Sequence, residues 1–304
     1  MKRLIVNADD LGLTRGVNRA VVDAHQRGIV TSATLMANGP EFQHGVEIAQ
    51  FTPSLAIGCH VDLMQMAPVL PPEKIPTLVR DGRFRPRLPQ LALAVLRGHL
   101  SADEICAEAM AQMRKLQAAG IALSHFDTHK HTHVFPPVLR PLLRAARSCG
   151  VAAVRNPFEP AAVFGGRECL SSPKLLARYG AVRALRSMAR EFRRQVEAAG
   201  LATTDGTLGI VLTGWLDRQR LCALLRHVPD GTWELVTHPG YDEPALRAIS
   251  SLAQSRPTEL QLLTSEETRR CVQECGIELI SFRELVEARG FSPADRGTNR
   301  SGLY

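Results

Sequence analysis

Short apolar runs that end in polar residues recur along the chain, and stretches with helical periodicity separate them. The first run covers residues 3–9 and closes on Asp9-Asp10, after which residues 14–28 read as a helix with Thr14 as N-cap and Gly28 as its stop. A strand over 30–37, a helix around 41–50 and a strand over 55–60 ending in His60 follow. This order implies parallel strands joined by helical crossovers, hence a doubly wound sheet or a barrel. Prolines at 68, 71, 72, 76, 86 and 89 make 64–90 a long loop suited to a lid. Ser101-x-x-Glu104 reads as a capping box opening a helix that reaches Ala119. The fourth strand comes next, then a helix over 138–149 and a fifth strand over 152–156. An irregular stretch rich in Pro and Gly runs on to 173.

Residues 174–199 have the pattern of one basic amphipathic helix. Val182, Leu185, Ala189, Phe192 and Val196 share a face, and Arg183, Arg186, Arg190 and Arg194 lie beside it. A helix packed on the barrel with solvated arginines is favoured over one that contacts a membrane surface or an anionic ligand. Residues 207–212, 233–237 and 277–282 complete the strands, the last expected beside the first. The domain reading is a barrel over 1–288 with insertions at about 64–90 and 157–173, and a flexible tail at 289–304.

Length agrees with this, because α/β barrels of about 250 residues form single domains. Hydrophobic residues make up 45% and charged residues 22% of the 304, an ordinary globular balance. The net charge of +7 is carried by arginine, since lysine occurs only at 2, 74, 115, 130 and 174. An acidic partner or a charged surface fits that balance. Nucleic acid does not, because acids are interspersed and aromatic residues reach only 5%. Seven cysteines without C-x-x-C spacing suggest reduced thiols. No apolar run is long enough for a secretory signal or a membrane span, so the expectation is a soluble cytoplasmic protein, with peripheral contact at the inner membrane face left open. Oligomeric state is not readable.

The densest chemistry lies in residues 123–134, where His125, Asp127, His129, His131 and His133 fall within nine consecutive positions. In an extended segment Asp127, His129, His131 and His133 project to one side and form a metal-binding or proton-transfer face; the competing reading is a solvated loop. In a parallel barrel the C-terminal strand ends meet at one mouth. Asp9, Asp10, His60, Asp127, His129, Arg155 and His238 all fall at such ends. One carboxylate and two imidazoles suffice for a catalytic divalent ion with an open position for water, which points to a metal-assisted hydrolase. Neighbours on a strand point apart, so of Asp9 and Asp10 one binds metal and the other acts on water. The same geometry disfavours a glycosidase, whose carboxylates flank the scissile bond about 5–9.5 Å apart.

Val6-Asn-Ala-Asp-Asp-Leu-Gly-Leu13, Gly28-Ile-Val-Thr-Ser32, Gly58-Cys-His60 and the segment from His125 to His133 resemble, in order and spacing, the motifs of the YdjC/ChbG carbohydrate deacetylases. The resemblance covers about residues 1–285. It implies a single-domain, distorted or incomplete TIM-like (β/α) barrel related to polysaccharide deacetylases. By the same resemblance Asp10, His60 and His129 hold one divalent ion, zinc preferred and magnesium the alternative. Asp9 becomes the general base, Arg155 its orienting partner and His238 the general acid. Asp127, His131, His133 and Tyr241 are assigned to the substrate or to support of the ligands. Leu11 stands where the family usually has Phe. Pro68-Val-Leu-Pro-Pro72, Asp81-Gly-Arg-Phe84 and Leu212-Thr-Gly-Trp215 look most like the hopanoid-associated HpnK branch. That likeness implies removal of acetate from an N-acetylglucosaminyl hopanoid, a lipid-linked amino sugar. The alternatives are a chito-oligosaccharide deacetylase, a metal-dependent phosphoesterase and a non-enzymatic sugar- or lipid-binding protein.

Overall fold

The computed structural model describes residues 1–160 and 172–290. Its first half runs β1 (Lys2–Leu11), α1 (Arg15–Gln26), β2 (Ser32–Leu35), α2 (Phe42–Phe51), β3 (Ala56–Val61), β4 (Val79–Arg80), β5 (Arg83–Phe84), α3 (Leu88–Leu96), α4 (Ala102–Ala118), β6 (Phe126–Thr128) and α5 (Pro136–Ser148). The second runs α6 (Pro173–Leu185), α7 (Ala189–Ala198), β7 (Gly206–Leu208), α8 (Arg218–Arg226), β8 (Gly231–Thr237), α9 (Pro244–Ile249), α10 (Arg256–Thr264), α11 (Glu266–Glu274), β9 (Ile277–Leu279) and α12 (Phe282–Ala288). Most of the predicted insertion at 157–173, and the predicted tail from 291 onward, lie outside the described residues.

β1 is the axis of the sheet. Its residues from Leu4 to Leu11 are buried, as expected of a parallel strand covered on both faces. β8 pairs along Lys2–Ala8, β2 pairs with the C-terminal half of β1, and β9 pairs with its first residues. The order is β6-β3-β2-β1-β8-β7 with β9 on β1, every pair parallel. The sheet curls until its edges approach. Parallel bridges join Phe126 to Val154 and Ala153 to Ala202, and Thr207 N donates to Phe158 O at 3.1 Å. The predicted fifth strand is thus reduced to bridges, and Pro157 has no N–H to extend it. The result is the expected distorted barrel.

Thr14 caps α1 by accepting from Val17 N at 3.2 Å. Gly28 does not stop that helix with a left-handed residue. A Cβ there would lie 2.4 Å from Leu263 O, so glycine is required by close backbone approach. The predicted loop 64–90 holds a 3₁₀ turn at Pro72–Lys74, the β4–β5 hairpin and the start of α3. Asp81 and Gly82 turn that hairpin at φ +52° and +74°, the left-handed pair a two-residue hairpin requires. Ser101 caps α4, but the Glu104 carboxylate bonds Thr77 N and Oγ1 at 2.7 Å each, so the expected capping box is half made and the insertion is tied to α4. The single helix expected over 174–199 breaks at a 3₁₀ turn, Arg186–Met188, which separates α6 from α7. Among the described residues no helix is long and apolar enough to cross a membrane.

Candidate active site

The C-terminal ends of β1, β3 and β6 meet at one mouth. Asn7 pairs with Ser32, Ala8 with Ala33 and Leu11 with Leu35, so Asp9 and Asp10 together stand opposite Thr34. Such a bulge re-aims side chains. Asp10, at φ +67°, turns its carboxylate toward two imidazoles. Its Oδ1 lies 3.3 Å from His60 Nε2 and 3.3 Å from His129 Nδ1, and those nitrogens are 3.3 Å from each other. The centre of a regular tetrahedron with such edges lies about 2.0 Å from its corners, the bond length of zinc to nitrogen or oxygen. Asp10 Oδ1 is buried and accepts no well-aligned hydrogen bond, so the donor set fits a divalent cation.

Neighbours aim each ligand. His60 Nδ1 is 2.7 Å from Asp127 Oδ1, which leaves Nε2 for the centre. His129 Nε2 is 3.0 Å from Gln65 Oε1. Arg256, 1% exposed, binds the other oxygen of Asp10. Partners of this kind fix ring orientation and ligand basicity.

Asp9, His60 and Asp127 form a second group with ligand spacing. Arg155 already supplies the cation there. Its Nη1 and Nη2 donate to Asp9 at 2.8 and 2.6 Å, Nη1 lies 2.5 Å from Asp127, and Nε donates to Glu234 at 2.7 Å. Burial alone would raise the Asp9 pKa, but the Arg155 charge and hydrogen bonds overcome it and hold the carboxyl well below the usual range. For Glu234 burial wins over Arg155 and pushes the carboxyl up to about 8, so it is protonated at neutral pH. His238 Nε2 is 3.9 Å from Asp9 Oδ2. Burial pushes His238 down to about 4, with Asp9 opposing that shift. Glu259 anchors the His238 segment by accepting from its backbone N at 2.7 Å.

The rest of the histidine cluster departs from the extended reading. β6 stops at Thr128, and His129–Val134 coil into 3₁₀ turns with Lys130 and His131 at φ +53°. Asp127, His129, His131 and His133 therefore do not share one side. His133 is buried between Thr128 Oγ1 at 2.6 Å and Arg155 O at 3.2 Å, so it braces the arginine segment. His131 lines the cavity, and burial holds its pKa well below the usual value. His125 lies in the interior, stacked on Phe282 with ring centroids 3.7 Å apart and its Nε2 3.2 Å from Asn7 Oδ1. Gly58 makes room for that ring, since a Cβ there would lie 2.5 Å from it. Tyr241 is not brought to the mouth: its hydroxyl donates to Asp23 on α1, and Arg19 lies over its ring.

The mouth opens into a cavity of about 330 Å³. Asp9, Asp10, His60, His129 and His238 lie in its wall beside apolar Leu13, Met66, Ile210, Ile249 and Leu252. Five non-glycine residues in the described structure have positive φ, and four of them, Asp10, Gln65, Lys130 and His131, line this cavity. Gln65, Glu234 and Arg256 are missing from the sequence reading. Arg256 opens α10 beside Pro257, a helix-start signal with no hint of a ligand to clamp.

A family profile described as YdjC-like protein matches residues 3–274. The chain is similar to a carbohydrate deacetylase of Brevibacillus brevis, 33% identical over 285 residues that span 93% of this chain and 99% of that protein. One from Thermoanaerobacter pseudethanolicus is 26% identical over 286 residues, 94% of this chain and all of the relative (100%). A crystal structure described as a putative cellobiose-phosphate cleavage protein of Enterococcus faecalis superposes with a TM-score of 0.73 at 27% identity, covering 93% of this chain and 98% of that one.

Proposed function

The chain belongs to the YdjC-like family, and from that premise we propose that it is a metal-dependent deacetylase that hydrolyses the acetamide of an N-acetylglucosaminyl sugar. The observation that carries this reading is the triangle of Asp10 Oδ1, His60 Nε2 and His129 Nδ1 with 3.3 Å sides. These three residues would hold the ion. A divalent cation supplies Lewis-acid polarisation of the acetyl carbonyl and stabilises charge on its oxygen. Zinc is favoured over magnesium, because two of the three donors are imidazoles and magnesium prefers oxygen.

The chain's own groups carry the protons. Asp9, locked by the two Arg155 contacts, faces the attacking water and accepts its proton. A carboxylate held that low is a weak base at rest, so the proton stays only briefly in the Asp9–His238 pair. His238, neutral before turnover, then delivers a proton to the departing nitrogen. Acetate and the free amine leave.

The sugar is assigned to a lipid-linked headgroup, that of a glycosylated hopanoid. The apolar wall residues Leu13, Met66, Ile210, Ile249 and Leu252 beside the polar centre suit an amphiphile. Elemental analysis joined to acetate-release assays on the hopanoid glycoside and on soluble N-acetylated chito-oligosaccharides tests this. Zinc near one equivalent with faster release from the glycoside is expected. Preference for the soluble oligomers assigns the enzyme to free sugars, and no release from either removes the deacetylase reading.

A further inference from the structure

From β4 to the residue after α3 the chain carries five arginines, at 80, 83, 85, 87 and 97, against one acid, Asp81. Arg80, Arg83, Arg85 and Arg97 line a second cavity of about 610 Å³ with His99 and Asp81. Gln65 stands in its wall and also in that of the catalytic cavity, so the two are neighbours. Arg85 donates to the carbonyls of Thr77 and Leu78 at 2.9 Å each. Among the described residues none of the four pairs with a carboxylate. The arginines after α6 are more occupied: Arg186 donates to Glu159 O, and Arg194 holds Glu191 at 2.8 Å.

The same insertion exposes apolar surface. α3 buries Leu91, Ala94 and Val95 and turns Pro89, Leu93 and Leu96 outward, a spacing of four and three that forms one stripe. Leu93 is 47% and Leu96 81% exposed. A single exposed leucine is ordinary on a soluble surface. Two on one stripe, bordered by unneutralised arginines, have the composition of a helix that lies in a lipid interface. α3 also begins at the catalytic mouth, where Leu88 lines the cavity.

We propose that the β4–β5 hairpin and α3 form a docking face for an anionic lipid surface. Leu93 and Leu96 enter the acyl boundary while Arg80, Arg83 and Arg97 meet headgroup phosphates. Charge complementarity selects the occupant: the cluster needs negative groups, and the leucines need an apolar layer directly beneath them. An acidic protein surface offers the first without the second, and a soluble phosphorylated sugar would use the arginine cavity, whose wall includes Leu93, without Leu96. Docked this way, the enzyme holds its mouth beside a membrane-borne substrate, which deepens the lipid-linked reading above and rests on it.

Co-sedimentation of the full chain with phosphatidylcholine vesicles, pure or mixed with phosphatidylglycerol, tests the face. Binding is expected to the mixed vesicles alone and to weaken as salt rises. Leu93→Ser with Leu96→Ser, and separately Arg80→Gln with Arg83→Gln, should each lower it about tenfold or more. Both variants should deacetylate soluble N-acetylated chito-oligosaccharides as the parent does, which shows that they fold. No binding to either vesicle, or equal and salt-insensitive binding to both, overturns the proposal. So does unchanged vesicle binding by the leucine variant with inorganic phosphate competing, which would assign the arginines to a soluble anion. Vesicle binding and acetate release are separate readouts, so failure of one is not failure of the other.

Discussion

Glu234→Gln separates the two forms of a buried carboxyl whose only hydrogen bond among the described residues is with Arg155 Nε at 2.7 Å. The folded protein pushes Glu234 from 4.5 up to about 8, chiefly by burial. Between those values the folded state keeps a proton that the unfolded chain releases. Its contribution to stability is therefore complete below pH 4.5, declines as pH rises and is gone above about 8. Two pH units between 6 and 8, at about 1.36 kcal/mol each, give roughly 3 kcal/mol. Glutamine copies the protonated shape and still offers an oxygen to Arg155, yet it has nothing to titrate. Urea unfolding of both proteins at pH 6, 7, 8 and 9, with metal saturating, should show a gap in favour of glutamine of about 2 kcal/mol at pH 6, where the unfolded chain is already ionised, that widens by roughly 3 kcal/mol more by pH 9. Parallel loss of stability in the two proteins over that range would refute the claim that Glu234 is neutral at pH 7. Glu234→Ala is the contrast, since it strips Arg155 Nε of its acceptor and should cost about 3 kcal/mol or more at every pH.

Asp10→Ala or His60→Ala should empty the metal centre by elemental analysis, whereas Asp9→Asn should retain metal and lose turnover by about a thousandfold; normal activity of Asp9→Asn would end its role as base. Arg256→Gln frees the second oxygen of Asp10 and should weaken metal affinity by about 10–100-fold in a chelator competition, with the fold intact by circular dichroism. Gly58→Ala drives a methyl to 2.5 Å from the His125 ring; it should destabilise by about 1–3 kcal/mol in denaturant unfolding, and a neutral result would show that the ring has room to shift.

The fold and much of the site were readable because strand ends announce themselves. Asp10 and His60 each close an apolar run, and parallel topology alone makes such ends converge. Asp127 and His129 stood out by density. The residues past them mislead, because histidine at every second position imitates a strand. The strand ends for a local reason, since Thr128 Oγ1 accepts from His133 N at 3.1 Å and closes a turn. Gln65 and Arg256 were not legible: one arrives from an irregular loop and the other from the first turn of a distant helix, and neither position carries a periodic cue. The Asp81-Gly82 hairpin was written in plain turn chemistry, but six surrounding prolines masked it.

The left-handed residues around the catalytic mouth bear on how this protein can change over generations. An L-residue held at φ near +60° gives up roughly 1–2 kcal/mol that glycine would not. At exposed Lys130 glycine would relieve that strain without losing a buried contact, so a population selected only for heat tolerance gains by the change. At Asp10 it does not, because the carboxylate is the partner of buried Arg256 and its loss would leave that guanidinium uncompensated at about 3–5 kcal/mol. Stability and the candidate metal site therefore guard residue 10 together. Lineages relieved of the need to turn over substrate should drift at position 130 well before position 10.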